Sequence, residues 1–234
     1  MTQSRDLTQN LRREAFQDLV RSRYSIRDFQ SEPVPLETIR EVVEDARWTP
    51  SNCNTQPWQV HIVSGAKRDE LSKALIAANA AGQFSKDFTW DDNQFTGELG
   101  RRRREHGAFY YGSLGVSRND ADGRRLAAVR NFSFFGAPHA AFFFLPTIGD
   151  NVRVAADVAM YAQTFLLSLH ARGLGGVPQT VLGFYADTVR AVLDISPEMK
   201  LLFGVSFGFP QWDSRVNQGR NGREETTESV VFHG

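Results

Sequence analysis

The segment RSRYSIRDF at residues 21–29 decides how this chain is interpreted. It places Arg21, Arg23 and Arg27 on alternate positions around Ser25. In an extended or turning backbone, alternate side chains project to the same side. Three guanidinium groups converging there repel one another unless an anion lies between them, and a phosphate is the usual guest. Taken alone, the segment also fits an exposed basic helix end, since charge runs are usually solvated.

A second segment, TPSNCNTQPW at residues 49–58, follows about one helix later. Its small hydroxyl and amide side chains offer many hydrogen-bond donors and acceptors with little bulk. The same composition also fits an ordinary turn from a helix into a strand. Together, the two segments predict a site for a flat, polar cofactor that carries a phosphate.

These segments and the C-terminal tail resemble the flavin mononucleotide (FMN) site of the nitroreductase family. That family opens with an Arg-x-Ser-x-Arg/Lys-x-Phe segment, matched by residues 23–29, and continues with a Pro-Ser-x-x-Asn-x-Gln-Pro-Trp loop, matched by residues 50–58. The family's Asn-x-x-Arg-x-x-Arg tail with an acidic-Val-Val end is matched by Asn217, Arg220, Arg223 and residues 228–231. The matches lie at both ends of the chain and in the family's order.

Composition limits the class of protein. The 234 residues suffice for one large domain or two small ones, and 41% hydrophobic with 23% charged residues is ordinary for a globular protein. The 27 basic and 27 acidic side chains cancel, which argues against a nucleic-acid partner. Cys53 is the single cysteine, so an internal disulfide is excluded.

Metal, export and membrane signals are missing from the sequence. The five histidines show no metal-ligand spacing, and we expect no metal. The N-terminus at residues 1–6 is polar, and the longest apolar run, residues 140–146, is far shorter than the roughly 20 residues that a membrane span needs. We therefore expect a cytoplasmic protein with no membrane partner.

Hydrophobic periodicity predicts the order of elements. Asp150 is the expected N-cap of the longest apolar helix. Residues 82–130 are polar and aromatic with poor periodicity, which predicts helical excursions and loops that cover a site. Helices are predicted over 7–22, 36–47, 66–81, 152–172 and 185–193, and strands over 58–64, 138–146, 199–209 and 229–232.

This order of elements predicts an α+β (mixed α/β) fold. We expect one FMN-binding domain over 1–234, with a lid or substrate-pocket excursion over 82–130 and a C-terminal extension over 211–234. The resemblance implies a central mixed, mainly antiparallel sheet flanked by helices. It also implies a homodimer with flavin sites at the subunit interface, in which the C-terminal tail crosses to the partner.

The resemblance assigns cofactor contacts to the first segment and to the tail. Arg23 and Ser25, with Tyr24 beside them, are expected at the flavin phosphate. Arg27 is expected near the N1/O2 edge of the ring, where a cation favours the reduced anion. At least one of the tail arginines, Arg220 or Arg223, is expected to join Arg23 at the phosphate. The alternative is that both are ordinary solvated charges of the tail.

Two further loops complete the expected cofactor site. In the second segment, ring-edge and ribityl contacts are expected from the neighbouring subunit, through Pro50, Ser51, Asn52, Asn54 and, more weakly, Gln56. The stretch after the long helix either forms a plain C-cap turn or passes over the flavin, through Gly176, Pro178, Gln179 and Thr180. Family members often carry an acidic residue where Thr180 stands.

The predicted lid carries arginines and aromatics. Four successive arginines at residues 101–104 spread around a whole helix, which predicts a solvated lid helix with one arginine near the 2′-phosphate of NADPH. An acidic or nucleic-acid partner for this run is the alternative. Three aromatics are expected either at the substrate pocket or in the core: Phe109, Tyr110 and Tyr111.

The resemblance implies chemistry at flavin N5, so we expect no catalytic side chain. The leading hypothesis is an FMN-dependent NAD(P)H nitroreductase that reduces nitroaromatic or quinone-like acceptors by ping-pong two-electron transfer, with NADPH favoured as donor. A Rossmann fingerprint is missing, which agrees with a nicotinamide that binds over the flavin and leaves. The alternatives are a dehalogenating or flavin-modifying enzyme of the same fold and a non-catalytic flavin-binding protein.

Overall fold

The computed structural model describes residues 2–234, with side chains from residue 7 onward. Met1 and the side chains of the polar N-terminal stretch therefore lie outside the described part. The helices are α1 (Thr2–Ser22), α2 (Leu36–Arg47), α3 (Gly65–Ala80), α4 (Gly97–Ser113), α5 (Ala121–Val129), α6 (Val152–Ala171) and α7 (Ala186–Leu193). The strands are β1 (Gln59–Ser64), β2 (His139–Pro146), β3 (Gly175–Gln179) and β4 (Met199–Gly208).

The four strands form one sheet in the order β1-β2-β4-β3. Every pairing among these strands is antiparallel, so the predicted α+β fold with a mainly antiparallel sheet is confirmed. Parallel pairing among the described residues occurs only as isolated β-bridges outside the strands. One of these bridges joins Ser25 to Gly176 and lies at the candidate site. The sheet is therefore antiparallel rather than mixed.

Strand β2 lies inside the sheet and is buried on both faces, as its unbroken apolar run predicts. Successive side chains point to opposite faces of a strand. Phe142 and Phe144 pack into a cluster with α3 and α7, and Phe143 and Leu145 pack into a second cluster with α2 and α6. The Phe143 ring lies 5.8 Å from the ring of Phe165 on α6. One strand thus joins both helical layers.

Helix α6 is the core helix of the second cluster. The residue at its N-cap position is Asn151, not the predicted Asp150, and Asn151 makes no side-chain cap bond. The Asp150 carboxylate, one residue earlier, accepts a hydrogen bond of 3.0 Å from the Val152 amide at the start of the helix. By length and composition α6 could also cross a membrane. Half of its most apolar stretch is buried inside the protein, against the sheet and α2, which is the pattern of a core helix.

Three regions differ from the sequence prediction or sharpen it. The predicted strand at 229–232 is wrong, since the only regular elements over residues 211–234 are two short 3-10 turns at Arg215–Asn217 and Thr226–Glu228. For the stretch that forms strand β3, the sequence allowed either a turn or a segment that covers the flavin ring. In the structure this strand is the edge of the sheet, where the missing N–H of Pro178 leaves no ladder bond unmade. Residues 82–130 contain the predicted helical excursions, α4 and α5.

A buried histidine joins three parts of the fold. The Nε2 atom of His139 accepts a hydrogen bond of 2.9 Å from the Val34 amide, and its Nδ1 atom lies 2.5 Å from the Ser64 hydroxyl. Its ring stacks on Phe207 with 5.2 Å between centroids. Because Nε2 accepts, the ring must be neutral, and burial lowers the pKa of His139.

This arrangement predicts a loss of stability on acidification. The unfolded chain binds a proton at His139 below its ordinary pKa of about 6.5, whereas the folded chain resists it, so stability falls as the pH drops through that value. Replacing His139 with Gln should make the fall in unfolding free energy between pH 7.5 and 5.5 shallower, and should cost about 2 kcal/mol at pH 7.5 through unpaired buried groups.

Urea unfolding at the two pH values measures this effect. His233→Gln, in the exposed tail, is the matched control and should leave the pH slope unchanged. Some slope should survive in His139→Gln, because burial also lowers the pKa of His61, His106 and His170. A His139→Gln protein with the wild-type slope contradicts the assignment.

Candidate functional site

The first segment leaves α1 and runs beside β3. The Ile26 amide donates a hydrogen bond of 3.3 Å to the Gly176 carbonyl, next to the Ser25–Gly176 bridge. A Cβ atom at Gly175 would lie only 2.5 Å from Ile26 Cγ1, so this approach requires a residue without a side chain. Burial of Ile26 under the strand fixes the backbone from which Arg23 and Arg27 project.

Asn217 ties the C-terminal tail to this segment. Its side chain is 1% exposed; Nδ2 donates to the Asp28 carbonyl at 2.7 Å, and Oδ1 accepts from the Arg27 amide at 2.8 Å. The Tyr24 hydroxyl donates to the Asn217 carbonyl at 2.7 Å. These bonds bring the tail arginines, which are nearly 200 residues away in sequence, next to the first segment.

The result is a cluster of arginines without a counter-charge. Arg220 donates to the Arg21 carbonyl at 2.6 Å, and Arg223 donates to the Gly222 carbonyl at 2.9 Å. Burial and, after it, the neighbouring Arg223 lower the pKa of Arg23. Within residues 7–234, no carboxylate forms an ion pair with Arg23, Arg220 or Arg223. Like charges held together in this way suit an anion.

A cavity of about 860 Å³ lies on the other side of the first segment. Its walls include three places that the sequence singled out separately, namely the first segment, the end of β3 and α4, and they continue into the turn after α4 and into α5. The predicted site residues that line it are Arg27, Tyr110, Tyr111, Pro178, Gln179 and Thr180.

Arg27 is a fixed cation in the wall of this cavity. Its amide is held by Asn217, and its guanidinium lies 5.5 Å from the centroid of the Tyr110 ring. Burial lowers the pKa of Arg27, since the charge is partly removed from water. Burial also raises the pKa of Tyr110, against the opposing effect of Arg130 and Arg27. This wall therefore presents a positive charge to any ligand that enters.

The side chain of Gln179 has a structural role. It is 4% exposed; its Nε2 donates to the Asn131 carbonyl at 2.9 Å, and its Oε1 accepts from the Ser206 hydroxyl. These bonds hold the end of β3, so Gln179 has only its main chain left for a ligand. Pro178 and Thr180 on either side are exposed.

The three predicted pocket aromatics do not act together. Tyr110 and Tyr111 line the cavity, whereas Phe109 packs on the tail, where a Cβ atom at Gly219 would lie 2.8 Å from Phe109 Cζ. Neighbouring residues on a helix point about 100° apart, which sends Phe109 to the other side of α4. The prediction of a pocket position for Phe109 was therefore not met within this chain.

The second segment lies away from the cavity. The Asn52 amide donates to both carboxylate oxygens of Asp157 at 3.1 and 3.2 Å, and the Trp58 ring lies 4.9 Å from the Tyr161 ring, so both ends rest on α6. None of Pro50, Ser51, Asn52, Asn54 and Gln56 lines the cavity.

Backbone strain is concentrated in this segment. Cys53, Asn54 and Gln56 have φ values of +50°, +56° and +48°, a region that residues other than glycine rarely adopt. The Ser51 hydroxyl accepts a hydrogen bond of 2.9 Å from the Gln56 amide, which helps to hold the shape. Strain held at an exposed loop commonly marks a functional surface.

A model of the nitroreductase family matches residues 20–209 of this chain. The chain belongs to this family. The matched region contains the first segment, the second segment, the sheet and the cavity walls, which confirms the resemblance drawn from the two motifs.

Individual relatives agree with this nitroreductase assignment over nearly the whole chain. The nitroreductase NfnB of Mycolicibacterium smegmatis is 41% identical over 219 residues, which cover 94% of this chain and 93% of that protein. A 4-nitrobenzoate reductase of Pseudomonas putida is 31% identical and covers 94% of this chain and 96% of its own length. The crystal structure of the FMN-dependent nitroreductase NfnB from Mycobacterium smegmatis in complex with NADPH superposes with a TM-score of 0.91 at 40% identity, over 94% of this chain and 99% of that one.

Sequence reasoning missed two polar residues that shape the site of this nitroreductase. Asp157 holds the Asn52 amide from an otherwise apolar helix face, where it is 5% exposed. A lone acidic residue inside a buried helical pattern was the available signal. Asn131, which receives Gln179, stands in a polar stretch and gave no signal.

Proposed function

We propose that this protein is an FMN-dependent oxidoreductase that uses NAD(P)H to reduce nitroaromatic or quinone-like acceptors. One observation carries the proposal: an arginine cluster without a carboxylate partner in residues 7–234 lies next to a large cavity that is lined by a half-buried cation and two tyrosines. The first feature suits a phosphate, and the second suits a flat ring. Residues 23–27 take part in both, since Arg23 belongs to the cluster and Arg27 lines the cavity.

The donor set fits FMN. Arg23, Arg220 and Arg223 would hold the phosphate, with the hydroxyl of Ser25 on the same segment, because a dianion relieves the repulsion that the folded chain otherwise bears. Tyr24 positions this group through its bond to Asn217. Gly176, Pro178, Gln179 and Thr180 would offer their main chain to the ring. FMN, when bound, supplies the hydride-accepting and hydride-donating chemistry.

Arg27 would stabilise the negative charge that develops during reduction. A preorganised cation in a partly desolvated site is worth more than one in water, because its field is less screened. The backbone of Arg27 is locked by Asn217, so it needs no reorganisation during reduction. No side chain of the cavity is assigned a covalent role.

Donor and acceptor would use the same cavity in turn. Its volume of about 860 Å³ suits one flat ligand at a time, which favours ping-pong kinetics. We favour NADPH as the donor because arginines dominate the lid, residues 82–130, and because a relative was crystallised with NADPH. We also propose that the whole chain, residues 1–234, forms a single domain and that the protein is cytoplasmic.

We further propose a homodimer. The second segment is exposed and strained, and helix α1 and the extension over residues 211–234 carry apolar side chains in water. A second copy would cover them, with Pro50, Ser51, Asn52, Asn54 and Gln56 of one subunit completing the cofactor site of the other and the extension crossing between subunits. The exposed apolar side chains of these two regions are Leu7, Leu11, Phe16, Val20, Trp212, Val230, Val231 and Phe232.

Anaerobic absorbance spectroscopy of the purified protein tests the function. We expect a yellow protein whose flavin band bleaches on addition of NADPH and returns when a nitroarene is added. A yellow protein that neither NADPH nor NADH bleaches contradicts the reductase function and leaves a binding role. A colourless protein that takes up no added FMN contradicts the cofactor assignment.

Subunit complementation tests the shared site. If Arg23 and Asn52 of one FMN site come from different subunits, a heterodimer of Arg23→Ala with Asn52→Ala contains one doubly altered site and one intact site. We expect that heterodimer, purified with two affinity tags, to bind about one FMN per dimer, while both variant homodimers bind less. A site built within one subunit would give no recovery. An Asn52→Ala homodimer with full FMN content would contradict the role of the second segment.

A further inference from the structure

The cavity is strongly positive on the side of the lid. Besides Arg27, four arginines of the lid line it, from α4, from the turn after α4 and from α5: Arg103, Arg104, Arg118 and Arg124. Among the described residues that form its walls, none is an aspartate or glutamate. A cleft lined by charges of one sign concentrates ligands of the opposite sign.

Two of these lid arginines already have partners. Arg103 forms an ion pair of 2.7 Å with Asp92, and the guanidinium of Arg124 lies 4.1 Å from the centroid of the Tyr111 ring. Both groups are thereby held in place by the protein itself. They contribute to the field in the cavity but are not free to change partners.

The other two lid arginines are uncommitted. Within residues 7–234, Arg104 and Arg118 form no ion pair, no hydrogen bond and no cation–π contact. Both are exposed, so their charges carry little desolvation cost and their forks can turn toward a ligand. Tyr110 and Tyr111 line the same cavity. The wall therefore combines aromatic surface with free guanidinium groups.

We propose that Arg104 and Arg118 select acceptors that carry an anionic group on the aromatic ring, and specifically nitroaromatic carboxylates. A planar carboxylate matches the guanidinium fork in a paired geometry, and the ring that bears it fits against the tyrosines. This inference rests on the proposed reductase function. The two arginines act as specificity-determining residues; neither takes part in the transfer of electrons.

The same charges would also attract the 2′-phosphate of NADPH. Carboxylate and phosphate share the chemistry that a guanidinium recognises, so the two sources must be separated by experiment. A carboxylate preference appears in the comparison of an acid with its neutral ester. A donor role appears in the comparison of NADPH with NADH.

Equilibrium binding provides the first test and needs no turnover. Calorimetry on the oxidised holoenzyme at low salt compares 4-nitrobenzoate with methyl 4-nitrobenzoate. We expect the acid to bind about tenfold more tightly, because the guanidinium contacts are charge-assisted, and added salt to weaken only the acid. In the Arg104→Ala/Arg118→Ala protein most of this preference should be lost, and only the weaker effect of the remaining cavity arginines should persist.

A matched control removes a charge from the lid outside the cavity. Arg125 lies on α5 next to Arg124, pairs with Asp122 in solvent and does not line the cavity. Arg125→Ala should keep the preference for the acid. An equal loss of preference in Arg125→Ala would show that only the overall charge of the lid matters, which overturns the assignment to Arg104 and Arg118.

Steady-state kinetics provides the second test. We expect the ratio of kcat/KM for the acid to that for the ester to fall about tenfold in the double variant, while the NADPH to NADH ratio stays constant. A double variant that alters only the NADPH to NADH ratio overturns the proposal and assigns both arginines to the donor. Retained acid binding without reduction of either acceptor contradicts the proposed reductase function and leaves the anion site standing.

Discussion

The structure depends on an electrostatic constraint at the junction of its two chain ends. Arg23, Arg220 and Arg223 converge without a carboxylate partner in residues 7–234, and burial with mutual repulsion lowers the pKa of Arg23. A fold that keeps such a cluster must hold it by other bonds. Asn217 does so with hydrogen bonds to the first segment, and Ile26 does so by packing under Gly175. An anion between the guanidinium groups removes the repulsion and tightens the junction.

The sheet and the lid contribute different parts of the candidate site. Strand β2 joins the two helical layers through alternating phenylalanines and gives the rigid frame. Strand β3 lies at the edge of that frame, where Gly175 lets the first segment approach and the Gln179 side chain fixes the far end. The lid adds positive charge and tyrosine rings above it. The cavity thus has one wall on the rigid sheet and one wall on the lid, and in the proposed function the first positions the cofactor while the second selects the acceptor.

Much of this could be predicted from the sequence, because the signals were local. The helix over 36–47 follows from its hydrophobic period, and the strand that ends at Pro146 follows from its unbroken apolar run. The edge strand β3 could not be predicted, since Gly-Gly-Val-Pro-Gln has neither alternation nor β-propensity and pairs only because β4 is present. The reverse holds for residues 229–232, which have the propensity of a strand but meet no partner strand within this chain.

The site shows the same limit. Motif spacing placed Arg23, Arg27 and the tail arginines together, because the family resemblance carries three-dimensional information. Motif spacing could not predict how α4 is rotated about its axis, and this rotation separates Phe109 from its neighbours. It also could not predict the hydrogen bond to Asp157, which holds the second segment on α6 away from the cavity. Such outcomes depend on contacts between elements far apart in sequence.

The most direct test of the central claim is the affinity of the apoprotein for FMN compared with riboflavin, which lacks the phosphate. The account predicts that wild-type protein binds FMN about 100-fold more tightly, and that Arg23→Ala removes most of this difference while leaving riboflavin binding unchanged. Arg21→Ala, at an exposed position of the same segment, should retain it. Equal affinity of the wild-type protein for the two flavins would contradict the claim that the arginine cluster is a phosphate site.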